Sequence, residues 1–186
     1  MMYRVESPRI VEDVIKKSRF IAIIEPVENE SDAARFLAKL AVEYADANHI
    51  AFAYRIRSEQ GFVCRFHDAG EPAGTAGKPI FQHLEGKRLM NVMIAVVRYF
   101  GGIKLGAGGL VRAYGNAAKK VIEAADIVEH IDLVRIRLTL PYNQMQALEY
   151  RLKQLNGRIL EQNFTDRVAL LVEVPAAEKE ALLQSL

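Results

Sequence analysis

Arg98-Tyr99-Phe100-Gly101-Gly102-Ile103-Lys104-Leu105-Gly106-Ala107-Gly108-Gly109-Leu110-Val111-Arg112-Ala113-Tyr114-Gly115 joins a hydrophobic strand to an amphipathic helix through a loop crowded with glycine and cations. Before the loop, Asn91 to Tyr99 is almost wholly apolar, which predicts a strand covered on both faces. After it, Leu110, Ala113, Tyr114, Ala117, Val121 and Ala125 recur at helical spacing, with Arg112, Asn116, Lys119 and Glu123 opposite them. The spacing predicts a helix over 107–125. Six of the chain's twelve glycines lie between 98 and 120, and between Glu85 and Glu123 there are seven Lys or Arg and no Asp or Glu.

A glycine loop that opens a helix is a ready anion site. The first-turn N–H groups lack intrahelical partners, the helix dipole is positive there, and glycine lets the backbone approach a ligand closely. Gly106, Gly108 and Gly109 stand where that geometry needs them, and Arg98, Lys104 and Arg112 add cations, arginine in the fork geometry that suits phosphate. The pattern is not a Walker A loop, because no Gly-Lys-Ser/Thr follows, and it is not a dinucleotide fingerprint. An architectural reading stands beside the anion reading: the glycines make tight turns and close helix packing, and Arg112 and Lys119 solvate the outer face.

Arg19 to Val27 is rich in aromatic and β-branched residues and stops at Pro26, so two strands are expected before residue 27. Asn29 to Asp32 offers N-cap residues for a helix carrying Ala33, Phe36, Leu37, Leu40 and Tyr44. His49 to Arg57 and Phe62 to Phe66 read as a hairpin turning at Glu59-Gln60-Gly61. Residues 67–79 hold three glycines and two prolines and read as irregular until a helix begins near Pro79. A boundary is expected at 126–130. Beyond it, Val134, Ile136, Leu138 and Leu140 alternate with Arg135, Arg137 and Thr139, and the remainder reads β-α-β-β-α, a split β-α-β plan short of its last strand.

The 186 residues are 51% hydrophobic and 26% charged with a net charge of +2, a composition of globular domains rather than of disorder. No apolar run reaches the roughly 18 residues of a membrane span and no signal-peptide layout opens the chain, so a cytoplasmic protein is expected. The single cysteine, Cys64, excludes an intramolecular disulfide and a cysteine-rich zinc site, and is expected to be a buried small residue. Asp68 and Glu71, with His67, Thr75 and Lys78 nearby, suit either an acid/base or metal role or the capping of loop N–H groups, which glycine-rich turns require. His49 reads as a hydrogen-bonded structural histidine. Among the aromatic residues near cations, Tyr54, Phe66, Tyr99, Phe100 and Tyr114, only Tyr99 and Phe100 sit at the strand end where a base could reach them.

Arg65-Phe66-His67-Asp68-Ala69-Gly70-Glu71-Pro72-Ala73-Gly74-Thr75-Ala76-Gly77 and the 98–115 block together closely resemble the two signature blocks of the IMPACT/YigZ family. The resemblance implies an α+β protein with an N-terminal domain over 1–127, in the fold of the second domain of ribosomal protein S5. It also implies a ferredoxin-like C-terminal domain over 131–186, similar to the last domain of elongation factor G, where a fourth strand would be usual. Ala69 and Ala73 depart from the family pattern, each removing an oxygen, which weakens a metal or acid/base reading of that loop. Eukaryotic relatives are linked to translational control under amino-acid stress, so the resemblance implies a partner in translation.

The expected function is a non-enzymatic binding protein that contacts RNA, the ribosome or a translation-associated protein. Its contact residues would be Arg98, Lys104, Gly106, Gly108, Gly109 and Arg112, with Asp68, Glu71, Thr75 and Lys78 in the signature loop. No catalytic residue, metal site or cofactor is expected, no membrane partner, and a monomer or weak homodimer. The alternative is a small-molecule or nucleotide-phosphate enzyme using the glycine loop with Asp68 and Glu71.

Overall fold

Residues 3–26 hold three strands rather than two: β1 (Tyr3–Val5), β2 (Arg9–Ile15) and β3 (Ser18–Pro26). Helix α1 (Glu30–Glu43) starts at Asn29, whose side chain accepts a hydrogen bond from the Asp32 N–H at 2.8 Å. The hairpin β4 (His49–Ser58) and β5 (Gly61–His67) follows, then α2 (Gly77–Gly86), β6 (Val92–Tyr99), α3 (Gly106–Ala124) and a short β7 (Ile127–Glu129). β7 lies where only a boundary is expected; it pairs antiparallel with β1. Three residues are too few to show an alternating pattern in sequence.

The computed structural model describes residues 1–186, which form two units, Met1–His130 and Ile131–Leu186. In the first, an antiparallel sheet runs in the order β2-β3-β6-β4-β5. β6 lies at its centre, and every residue from Val92 to Arg98 is buried, the reason its sequence is apolar throughout. One face, with Phe20, Ile24, Ile94 and Val96, packs against Ile80 and Leu84 of α2 and Leu110, Tyr114 and Val121 of α3. The other face, with Ile23, Tyr54, Met93 and Val97, packs against Ala33 and Leu40 of α1. Each fully buried aliphatic side chain contributes about 1.5–3 kcal/mol relative to exposure. Even-numbered residues of β6 therefore point toward α3, and Arg98 inherits that direction.

Cys64 corrects the expectation of burial: β5 is an edge strand, and Cys64 is exposed on it. No helix is long and apolar enough to cross a membrane.

The second unit contains β8 (Leu133–Leu140), α4 (Met145–Gln154), β9 (Arg158–Phe164), β10 (Val168–Pro175) and α5 (Lys179–Gln184). Its antiparallel sheet runs β8-β10-β9. Val134, Ile136, Leu138 and Leu140 share a core with Leu148 and Leu152 of α4 and Leu182 of α5, as their alternation predicts. On β10, Glu173 is held between Arg135 at 3.3 Å and Arg158 at 2.9 Å, its register partners on the two flanking strands. The chain is α+β in both units.

Candidate functional site

The two glycine-rich blocks meet at the end of β6. Arg98 is only 5% exposed, because strand alternation turns it toward α3 rather than outward. Its Nη1 donates to both carboxylate oxygens of Glu71, at 2.8 and 2.7 Å, and Nη2 lies 3.4 Å from the Ser18 hydroxyl. Glu71 also accepts from the Tyr114 hydroxyl at 2.5 Å, and its Oε1 faces His49 Nε2 at 3.2 Å. Nδ1 of His49 lies 2.8 Å from the Ala69 carbonyl, which can only accept, so this nitrogen donates. Burial pushes the Tyr114 hydroxyl far above its ordinary range, and the adjacent Glu71 carboxylate pushes it the same way; Tyr114 is a permanent donor.

Arg98 is thus a correction to its place among the exposed contact residues. The carboxylate that claims it lies 27 positions earlier, in an irregular loop. Its guanidinium carbon sits 5.5 Å from the ring centroids of both Phe20 and Phe100. Its Nε is buried without a hydrogen-bond partner.

Asp68 serves as a cap. One carboxylate oxygen accepts from the Gly74 N–H at 2.9 Å, and the other from Ala76 at 3.1 Å and Gly77 at 2.9 Å, which closes the loop onto the start of α2. Burial raises its pKa, but the three N–H donors together outweigh that, and the carboxyl sits below its ordinary range. Thr75 is buried and donates to the Pro72 carbonyl at 2.6 Å, while Lys78 is exposed on α2. With Asp68 spent on backbone and Glu71 on Arg98, Tyr114 and His49, neither carboxylate is placed for the acid/base or metal work of the enzyme alternative.

The lowered pKa of Asp68 sets a direction with pH. Its stabilisation is present above the ordinary carboxyl value of about 4 and is lost as pH falls through the lower folded value. Asp68→Ala is expected to cost about 2 kcal/mol at pH 7, the upper end for a lost cap. Urea titrations should also show a shallower loss of stability below about pH 4 than in the wild type.

What stays outside is the start of α3. Lys104, Gly106, Gly108 and Arg112 are exposed and Gly109 is partly so. Leu105, at the N-cap, supplies no side-chain acceptor, and the first turn holds no acidic residue. The Arg112 guanidinium folds back over that turn: its Nη1 lies 3.5 Å from the point a Gly108 Cβ would occupy. Neither Lys104 nor Arg112 has an ion-pair partner. The β2–β3 turn adds Lys16, which lines one depression with Gly109, Arg112 and Asn116. Sequence reasoning misses Lys16, because only the sheet order brings residues so distant in the chain together.

Beside this turn lies a cleft of about 400 Å³ that both blocks build, lined by His49, Glu71, Pro72, Arg98, Phe100, Lys104 and the first turn of α3. Phe100 is 47% exposed, and its N–H donates to the Asn48 side chain at 2.8 Å. Tyr114 and Tyr54 are core residues, whereas Phe66, on β5, is 48% exposed.

The Impact N-terminal domain matches residues 16–122, and a domain of unknown function, DUF1949, matches residues 138–186. An IMPACT family member of Haemophilus influenzae is 35% identical over 97% of this chain and 88% of its own length. The IMPACT family member YigZ of Escherichia coli is 35% identical over 92% of this chain and 85% of its own length. Human Protein IMPACT is 37% identical over 58% of this chain and 34% of its own length. A crystal structure described as that of an hypothetical protein superposes with a TM-score of 0.69 at 33% identity, covering 97% of this chain and 88% of that one. Both signature blocks lie within the matched N-terminal domain, and the chain belongs to the IMPACT family.

Proposed function

We propose that this chain is a non-enzymatic binding protein of the translation apparatus or its regulation, and that it contacts RNA phosphate at the start of α3. The observation that carries the reading is electrostatic. Two exposed cations without acidic partners, Lys104 and Arg112, flank the positive end of a 19-residue helix whose first turn has no side-chain acceptor. Cations at that end of a helix are unfavourable, and a bound anion relieves both the charges and the unpaired N–H groups. Translation enters through family membership, since the resemblance of the signature blocks implies it.

The test is fluorescence anisotropy with a labelled single-stranded RNA between 50 and 200 mM salt. Binding should weaken steeply with salt, and Lys104→Glu with Arg112→Glu should lower affinity at least about tenfold. Loss of two phosphate contacts on a single strand should flatten the log–log salt slope by about 1.4. No binding at 50 mM salt, or a slope and affinity indifferent to the two substitutions, overturns the reading.

A further inference from the structure

The cleft beside the first turn of α3 has features that a phosphate-backbone contact does not use. Its volume of about 400 Å³ lies in the range of small-molecule sites, roughly 300–1,000 Å³. Its inner wall is charged yet internally balanced: Glu71 is neutralised by Arg98 and hydrogen-bonded by Tyr114. The remaining field comes from Lys104 and the uncapped helix end, so the cleft favours an anion. Arg98, also part of this wall, is 95% buried and has a donor, Nε, with no acceptor. Phe100 also lines the cleft, half exposed, with its backbone N–H bonded to the Asn48 side chain and the Arg98 guanidinium carbon 5.5 Å from its ring centroid. An exposed aromatic ring beside a cation offers a stacking face for a base.

We infer that the cleft holds one phosphorylated nucleotide unit, its phosphate at Lys104 and the first turn of α3 and its base against Phe100. This deepens the anion-site reading above and rests on it. The same chemistry is offered by a free nucleoside monophosphate and by an unpaired terminal nucleotide of RNA.

Isothermal titration calorimetry on the full chain separates the cases, using adenosine 5′-monophosphate, adenosine, inorganic phosphate, and a ten-nucleotide RNA with or without a 5′-phosphate. The monophosphate should bind at least about tenfold tighter than adenosine or phosphate alone. Phe100→Ala should weaken it about tenfold while leaving phosphate binding unchanged, and Ala107→Leu, at an exposed position that lines the cleft, should block it. Circular dichroism confirms that both variants are folded. A free nucleotide is the ligand if the monophosphate shows this pattern. A terminal nucleotide is the ligand if only the 5′-phosphorylated RNA does, with the same sensitivity to both variants. If no probe responds to Phe100→Ala or Ala107→Leu, the inference is overturned. RNA binding that still depends on Lys104 and Arg112 would then leave the phosphate-contact reading standing.

Discussion

Glu71→Ala is expected to remove about 3–5 kcal/mol of stability from the first unit, the cost of leaving a buried charge without its partner. Arg98 would keep its charge inside the fold with the Ser18 hydroxyl, at 3.4 Å, as its one remaining hydrogen-bond partner, and the Tyr114 hydroxyl would lose its acceptor. Against a typical total of about 5–15 kcal/mol, such a loss leaves the unit marginal or unfolded. Two units make a single global transition an unsafe measure, so the readout is urea-dependent hydrogen exchange of the β6 amides. Arg98→Met alone should also be costly. The double variant Glu71→Gln/Arg98→Met should cost clearly less than the sum of its parts, because it leaves no uncompensated charge. A loss below about 1 kcal/mol for Glu71→Ala would contradict the assignment of Glu71 as the hub of this network.

Gly101→Ala should be nearly as damaging, for a steric reason. A Cβ at this position would fall inside the contact envelope of the Lys17 carbonyl, on the β2–β3 turn. Backbone cannot rotate away as a side-chain tip does, so the turn or the end of β6 must move, at a cost of about 3 kcal/mol. The neighbouring Gly102 provides the control. It has φ of +90° and open space around it, so Gly102→Ala meets only backbone strain, roughly 1–2 kcal/mol. Hydrogen exchange of the β6 amides should rank Gly101→Ala well below Gly102→Ala in stability. The reverse order would mean that the β2–β3 turn does not press on the glycine loop.

The run from Asn91 to Tyr99 announces a central strand, and the stripe through Leu110, Tyr114 and Val121 announces the helix after it; both lie as expected because periodicity is local. The direction of Arg98 is not local. In a strand apolar on both faces, alternation gives no sign of which face belongs to which helix, so nothing near Arg98 reveals that Glu71 claims it. The available signal is general: a charge at the end of a doubly covered strand requires a buried counter-charge, and Glu71 is the acid in the other glycine-rich block. The sequence of its loop suits Asp68 equally to capping and to acid/base or metal work, and three backbone donors show the cap. Lys16 and the cleft depend on sheet order and have no signature in the chain.

That the exposed anion-binding part of the 98–115 block is the first turn of α3 can be checked by amide chemical shifts. An isotope-labelled sample titrated with a short single-stranded RNA should show its largest changes at Leu105, Gly106, Ala107 and Gly108, whose N–H groups have no intrahelical acceptor and would meet phosphate. Changes confined to the β8-β10-β9 sheet, or no changes at these four amides while RNA binds, would contradict it.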